Sequence, residues 1–368
     1  MPRTITAVDV PALVTGVNVL GCGGGRDAAA FAAMLRRSLG EDGTVTWHEA
    51  GPHDDPVIVP VGVVGAVNVL SEKLPNGREF REAVAAVTRW TGGPAADALM
   101  AVEAGGPNAL TVLLAALDLG LPVVDVDLMG RALPRLDQLS WAVRGLPVTP
   151  CALAEPGGQI LVVDRTDARG LERTVRGFLA AAGGWAALAL APVRLREVRD
   201  ACVHGSLTRA LALGRAHGEL PHRPDTEAVE AALGCRVLAA GRIGEVARSE
   251  GPGFGRGSVT VTDAASGAVV RLETENEILL ALRDGEVAAT VPDVICLLDR
   301  RTAAPVAIDR VRPGQEVIAA TLPGPGFWRH PDVEPYVSPR AFGLDAEVVG
   351  FASGVESGTH HDGEAVPR

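Results

Sequence analysis

Acidic residues follow two apolar runs of the chain, and these acids are the first candidates for chemistry. Glu103 comes directly after the run at 98–102, and Asp125 and Asp127 follow the run at 122–124. A carboxylate that leaves a buried strand is costly unless it is paired or functional, so Glu103 is a candidate general base or ligand. If the second strand continues, its two-residue period places Asp125 and Asp127 on one face, as a pair for acid–base chemistry or for a divalent metal.

Arg131 and His204 can act together with these acids. Arg131 can pair with one of the aspartates or with an anionic substrate. His204 precedes Gly-Ser where a helix cap is expected, so it is either a titrating group directed at the site or a loop residue. The sequence identifies no cofactor, and the one metal it suggests is a divalent ion. The predicted catalytic residues, of which the last three are also the candidate metal ligands, are Glu103, Asp125, Asp127 and His204.

The glycine-rich loop at 21–27, GCGGGRD, can bring a ligand close to the backbone. We expect it to leave a strand and open a helix, so that the amides of Gly23, Gly24 and Gly25 face an anion or a polarised carbonyl. A tight turn explains the same glycines, and the spacing matches neither a dinucleotide-binding loop nor a P-loop. Cys22 is either a thiol whose pKa a helix N-terminus lowers or a small residue in a crowded turn.

A second glycine-containing segment follows the strand predicted at 57–61. Gly65 lies there, at the sheet edge where open α/β proteins bind ligands. Glu72 and Lys73 can orient a substrate, or they form a solvated charge pair. Asn108 is ambiguous, because capping of a helix explains it fully. The predicted substrate-binding residues are Gly23, Gly24, Gly25, Gly65, Glu72, Lys73, Asn108 and Arg131.

Alternating strands and helices must position these residues. Residues 1–165 alternate short apolar runs with amphipathic stretches, which predicts an α/β domain with a mostly parallel sheet covered by helices. Residues 166–250 are predicted to connect this domain, through a helical segment, to a β-rich domain at 251–350, followed by a disordered tail at 351–368. The predicted strands of the first domain are 18–20, 44–47, 57–61, 98–102 and 122–125, and its helices are 28–38, 79–91 and 108–119.

Composition narrows the class of partner. The formal charge of -11 argues against a nucleic-acid surface, which needs clustered Lys and Arg. The five cysteines are widely spaced without a C-x-x-C pair, as expected for reduced thiols. Neither a signal peptide nor an apolar run of about 18 residues is evident. We therefore expect a cytoplasmic homo-oligomer that binds a small molecule, with no nucleic acid and no membrane as partner.

Several stretches, in their order along the chain, resemble the S-methyl-thiohydantoin desulfurase-like family, which is often associated with hydantoinase-type genes. The resemblance covers the chain up to about residue 350, and the block from Glu103 to Leu136 is its most specific part. The matching stretches are GCGGGRD, VPVGVVGAVNVLSEKLPNG, ALMAVEAGGPNALTVLLAALDLGLPVVDVDLMGRALPRL, HGSLTRALALGRA, NEILLALRDGEVAATVPDVICLLD and WRHPDVEPYVSPRAFGLD.

The resemblance implies an α/β domain followed by a β-rich domain, and a hydrolase-like activity on a five-membered cyclic ureide of the S-methyl-thiohydantoin or hydantoin type. Water would attack the ring carbon C2, which requires a base, an electrophilic clamp and a proton donor. Glu103, Asp125, Asp127 and His204 would then be the acids and bases, and the glycine loop the clamp. The alternative is a non-catalytic subunit or small-molecule-binding partner of a hydantoinase-type enzyme.

Overall fold

The computed structural model describes residues 3–24, 28–65, 69, 73–249 and 255–351. The predicted tail at 351–368 lies outside these residues from 352 onward. The helices are α1 (Val10–Leu20), α2 (Ala29–Leu39), α3 (Glu79–Thr91), α4 (Asn108–Leu119), α5 (Ser140–Val143), α6 (Ala168–Ala181), α7 (Leu195–Val198), α8 (Ser206–Gly218) and α9 (Thr226–Leu233). The first eleven strands are β1 (Arg3–Ile5), β2 (Val45–His48), β3 (Val57–Gly65), β4 (Ala98–Ala101), β5 (Val123–Val124), β6 (Val126–Asp127), β7 (Cys151–Ala154), β8 (Ile160–Val163), β9 (Trp185–Leu190), β10 (Val193–Arg194) and β11 (Val203–His204).

The first domain contains a mixed sheet with the strand order β1-β2-β5-β4-β3-β9-β7-β8. Its centre, β2-β5-β4-β3, is parallel, because α3 and α4 return the chain to the same edge. Antiparallel strands flank this centre on both sides. The α/β class is therefore confirmed, and the carboxyl ends of β3 and β4 meet at one edge of the sheet.

Both faces of this sheet are buried, as the continuous apolar runs indicate. Along β4, Leu99 and Ala101 belong to one hydrophobic cluster, which also contains α1, α2 and α4 residues. Ala98 and Met100 belong to a second cluster, which includes Leu171 of α6. Helices thus cover both faces of the sheet. The strands that carry the candidate residues are buried between these helices.

The strand predicted at 18–20 is wrong, because this run is the last part of helix α1. Pro11 stands in the first turn of α1, where it removes no helical hydrogen bond. The sequence of α1 is apolar and contains a glycine because α1 packs closely against α8. A Cβ at Gly16 would lie 1.7 Å from the carbonyl oxygen of Ala210, and a Cβ at Gly214 would lie 1.6 Å from that of Ala12.

The segment 166–250 is divided between the two sheets of the structure. Its β9 and β10 pair with β3 in the first sheet, whereas its last strand, β12 (Arg236–Ser249), begins the second. The second sheet is antiparallel throughout, with the order β16-β15-β14-β13-β12-β19-β17-β18, which confirms the β-rich domain. Its other strands are β13 (Arg256–Asp263), β14 (Val269–Glu275), β15 (Glu277–Arg283), β16 (Glu286–Thr290), β17 (Val294–Asp299), β18 (Pro305–Val306) and β19 (Glu316–Leu322).

The two domains are joined by direct backbone and side-chain contacts. The amide of Ile278 donates to the carbonyl oxygen of Cys22 at 2.8 Å, and the Trp328 indole donates to that of Met129 at 2.7 Å. No helix in the described part of the chain is long and apolar enough to cross a membrane. The contacts place the turn between β14 and β15 beside the glycine loop of the first domain.

Candidate active site

A cleft of about 110 Å³ lies between the two domains, and we call it the interdomain cleft. The first domain contributes the end of β3, the segment after β4, residues 132–136 and one side of α6. The second domain contributes the turn that joins β14 to β15. The wall is mostly apolar, and its polar side chains are Glu103, Asn108, Arg135, Glu172, Arg176, Asn276 and Glu277. Such a composition is typical of a small-molecule site.

Glu103 lies in the cleft just past β4, as the parallel strand and its following carboxylate predict. The side-chain amide of Asn108 donates to Glu103 Oε2 at 3.1 Å. Burial raises the pKa of Glu103 well above its ordinary value, and the charge of Glu277 raises it further, while the bond from Asn108 opposes both. The shift favours the protonated form of Glu103, which suits a proton donor.

Glu277 is the second carboxyl group of the cleft, and it comes from the other domain. Only 3% of it is exposed, and its Oε2 has no hydrogen-bond partner within the described residues. Its Oε1 accepts from the side-chain amide of Asn276, at 2.7 Å, and Asn276 has a left-handed backbone with φ +64°. Burial raises the pKa of Glu277 to about 7, against the opposing effects of Arg131 and Asn276. A group with this pKa is suited to gain and lose a proton near neutrality.

The glycine loop lies at the domain contact, where Gly24 touches Glu277. A Cβ at Gly24 would lie 2.4 Å from Glu277 Oε1, so no larger residue fits without moving that carboxyl. The amide of Gly24 donates to Gly21 at 2.8 Å, and the carbonyl of Gly23 accepts from Ile308 at 2.9 Å. The Gly24 amide is therefore not the expected clamp, and Gly23 does not line the cleft. Gly25 lies outside the described residues.

Cys22 does not have the lowered pKa that a helix N-terminus would give it. The loop follows the C-terminal end of α1, so a helix C-terminus and not an N-terminus precedes it. The thiol is fully buried, lies 3.3 Å from the carbonyl oxygen of Leu20, and has φ +52°. Burial raises its pKa to about 11, which keeps it neutral and unreactive at physiological pH.

Asp125 and Asp127 lie outside the cleft, and their oxygens hold the first turn of α8. Asp125 accepts from the amides of Leu207 and Thr208 at 2.8 and 2.9 Å, and also from the Thr208 hydroxyl. The strand does not continue through Asp125, which separates β5 from β6. Asp125 thus caps α8, and neither aspartate lines the interdomain cleft.

Asp127 is tied to three other segments. Its Oδ2 accepts from the amides of Ala104 and Gly130, both at 2.7 Å, and its Oδ1 accepts from the Ser206 hydroxyl at 2.9 Å. Burial raises its pKa to about 7 in spite of these bonds. Asp127 fixes the turn after Glu103, so its contribution to the cleft is indirect.

His204 is exposed and also lies away from the cleft. It stands in the short strand β11, where its ring nitrogen Nε2 lies 3.1 Å from the carbonyl oxygen of Arg199. No group of three or more His, Cys, Asp or Glu side chains is placed to hold a metal ion, as far as the described residues extend. The set Asp125, Asp127 and His204 is therefore not a metal site in this arrangement.

Of the remaining predicted binding residues, some line the interdomain cleft and others lie outside it. Gly65 lines the cleft with φ +121°, and a Cβ there would lie 2.2 Å from the carbonyl oxygen of Gly184. Lys73 instead pairs with the buried Glu155, outside the cleft. Arg131 is buried behind the cleft and donates to backbone carbonyls, not to an aspartate. Glu72 lies outside the described residues.

Sequence reasoning missed the half of the site that the second domain supplies. Glu277 is the first residue of β15 and directly precedes the apolar run ILLAL, so the sequence does show a carboxylate beside a strand, as it does for Glu103. At the mouth of the cleft Glu172 accepts from the Leu136 amide at 2.9 Å and pairs with Arg176 at 2.7 Å. These two residues sit one helical turn apart on α6, which alone predicts only a solvated pair.

Known proteins resemble this chain at two levels. Its fold is similar to the crystal structure of a protein from Chromobacterium violaceum, with 25% sequence identity and a TM-score of 0.78, over 95% of this chain and 99% of that one. No curated protein matches it. Residues 8–165 match the family model described as S-Me-THD-like, N-terminal domain, and residues 165–351 match S-Me-THD-like, C-terminal domain. The protein therefore belongs to the S-Me-THD-like family and contains both of its domains.

Proposed function

We propose that this protein is a hydrolase that acts on a five-membered cyclic ureide of the S-methyl-thiohydantoin or hydantoin type. In this proposal Glu277 is the general base and Glu103 the general acid. The observation that carries it is the unpartnered, buried Oε2 of Glu277 in the same cleft as Glu103. An oxygen of this kind is costly to bury unless a ligand or water uses it.

Both carboxyl groups have a raised pKa, and we assign them different roles. The pKa of Glu103 is raised well above its ordinary value, whereas that of Glu277 is about 7. In this proposal Glu103 is the member of the pair that carries the proton, and Glu277 is the member that ionises near neutral pH. This is the state that hydrolysis requires, with one group to deprotonate water and one to protonate the ring.

For an S-methyl-thiohydantoin the reaction balances in two steps. Glu277 first takes a proton from water as the water oxygen bonds to ring carbon C2, and Glu103 gives its proton to the ring nitrogen. The C2–S bond then breaks, Glu277 returns its proton to the leaving sulfur, and Glu103 regains one from the C2 hydroxyl. The products are methanethiol and the hydantoin, and both carboxyl groups are restored. For a hydantoin, a C–N bond of the ring breaks instead.

The apolar wall of the cleft would hold the ring and keep bulk water from the reacting carbon. Val63, Val102 and Met129 supply this wall on the first domain. Exclusion of water strengthens the electrostatic interactions between the ring and the two carboxyl groups. Asn108 and Asn276 would each hold one carboxyl group in place through the bonds described above.

Turnover by the purified full-length protein tests the proposal. Methanethiol would be followed with a thiol reagent, and hydantoin or its ring-opened product by chromatography, with and without added divalent metals. Glu103→Gln and Glu277→Gln should each lower kcat by roughly 10²- to 10⁴-fold. Glu273→Gln is the matched control, because Glu273 pairs with Arg271 outside the cleft.

Two results would count against the proposal. Full activity of a folded Glu277→Gln variant would show that Glu277 is not the general base. Binding of the ring without turnover, with co-purification of a hydantoinase-type enzyme, would instead favour a non-catalytic partner of such an enzyme.

A further inference from the structure

Arg131 is a buried cation without a matching ion pair. It is 0% exposed, and its guanidinium donates to the carbonyl oxygens of Ala132, Asp293 and Ile278. No carboxylate of the described chain forms a salt bridge with it. Carbonyl dipoles alone offset only part of the free-energy cost of burying such a charge. A negative charge close by would lower this cost.

The titratable groups that interact with Arg131 narrow the source of this charge. Cys22 is neutral, because its pKa is about 11. Glu275, whose charge raises the pKa of Glu277, is already paired with Arg256 at 2.8 Å. Asp127, whose charge raises the pKa of Glu103, already accepts three hydrogen bonds. Asp293, whose carbonyl accepts from Arg131, is buried, but its carboxylate is already paired with Arg329. Among the described residues, the two cleft carboxyl groups therefore remain to balance Arg131.

Glu277 is the better placed of the two. Arg131 donates to the carbonyl oxygen of Ile278, the residue next to Glu277, at 3.4 Å. Its charge is the largest influence that opposes burial at Glu277, whereas at Glu103 burial, Glu277, Asn108 and Asp127 all have larger effects. The Oε2 of Glu277 is buried and has no hydrogen-bond partner among the described residues, so it can carry the balancing charge without breaking an existing bond.

We propose that Arg131 is a positioning residue that keeps one negative charge on the Glu103–Glu277 pair and directs it to Glu277. Arg131 sits in the first domain and Glu277 in the second, so the general base becomes competent only when the domains are assembled. The catalytic consequence rests on the proposed function, whereas the charge distribution does not depend on turnover.

Infrared difference titration of the carboxyl C=O band tests the charge distribution directly. The band that is lost in Glu277→Gln identifies Glu277. Arg131→Met and Arg131→Gln remove the charge, and the glutamine keeps amide donors for the same carbonyls. In both, the titration midpoint of Glu277 should rise by about 1–3 pH units. Arg131→Lys keeps the charge, so its midpoint should stay near that of the wild type.

The acid limb of the kcat/KM profile is the second readout and should move by the same amount as the infrared midpoint. An unchanged Glu277 titration midpoint in either folded charge-removing variant would overturn the proposal. Arg131 would then have only a structural role in the contact between the domains. An equal shift of the Glu277 midpoint in Arg131→Lys would also overturn the proposal, because it would show that hydrogen-bond geometry and not charge is responsible. A wild type without turnover would defeat the proposed function alone, because the infrared result does not require activity.

Discussion

Asn108 connects Glu103 to the backbone of β3. Its side-chain amide donates to Glu103 Oε2 at 3.1 Å, and its Oδ1 accepts from the amide of Val63 at 2.5 Å. Asn108 is the first residue of α4, and both of these side-chain bonds are to residues outside that helix. The capping explanation offered by the sequence is therefore wrong, because the side chain turns to the end of the neighbouring strand. It fixes the proton donor relative to the cleft wall.

Asn108→Ala should reduce both turnover and stability. Glu103 would lose its orienting donor, and we expect kcat to fall on the order of 10²-fold through misplacement of the acid. The amide of Val63 would lose its acceptor, which costs about 1–3 kcal/mol of the free energy of unfolding. Steady-state kinetics and urea denaturation measure the two effects. Asn18→Ala is the control, since Asn18 Oδ1 has no partner among the described residues, and unaltered kinetics in Asn108→Ala would refute the assignment.

The raised pKa of Glu277 predicts how stability depends on pH. The folded pKa is about 7 and the ordinary value is 4.5, so between these values the folded state binds more protons than the unfolded chain. The contribution to stability is therefore complete below pH 4.5 and is lost as the pH rises through 7. The slope from this one group is at most about 1.4 kcal/mol per pH unit.

Glu277→Gln removes this contribution, because glutamine cannot ionise, and it also removes the effect of the Glu277 charge on the pKa of Glu103. The free energy of unfolding of the wild type, minus that of the variant, should decline from pH 4.5 to pH 8 in urea titrations. Asp127, whose pKa is also about 7, is present in both proteins and cancels in the difference. Parallel pH profiles for the two proteins would show that Glu277 titrates at its ordinary pH.

Local sequence signals predicted the first domain's framework well and the site only in part. Helices at 79–91 and 108–119 match α3 and α4, and Gly120 ends α4 with φ +68°, as a glycine after a helix predicts. Glu103 was found because strand periodicity and a carboxylate coincide. Glu277 could not be joined to it, because the two are 174 positions apart in the chain and only the domain contact brings them together.

Asp125 and Asp127 show why residue type alone was misleading. An acid after a strand can serve a ligand or the amides of a helix N-terminus, and both uses leave the same sequence pattern. The partner helix α8 begins about 80 residues later, so the sequence pattern near the aspartates did not reveal it. Similarly, the glycine loop was expected to bind a ligand through its backbone amides. In the structure, Gly24 instead leaves space for the Glu277 side chain of the other domain.

Gly24→Ala tests that role of the loop. The added Cβ would lie 2.4 Å from Glu277 Oε1, so the carboxyl must move and turnover should fall by on the order of 10²-fold. Gly177→Ala, in the middle of α6 with nothing within 4 Å of its Cβ, is the control and should stabilise the protein by about 0.5–1 kcal/mol. Thermal denaturation and kinetics of both variants provide the readouts. Wild-type turnover in Gly24→Ala would mean that Glu277 does not need its present position.

Asp125→Asn distinguishes a capping aspartate from a catalytic one. The new side-chain NH₂ group would face the amide and hydroxyl of Thr208 or, if it is flipped, the amide of Leu207, so that at least one donor loses its acceptor. We expect the free energy of unfolding to fall by about 1–3 kcal/mol, because the cap is buried. Turnover should persist at temperatures well below the Tm, since Asp125 does not line the cleft. Loss of turnover in a protein that circular dichroism shows to be folded would restore Asp125 to the catalytic set and place the chemistry at the start of α8.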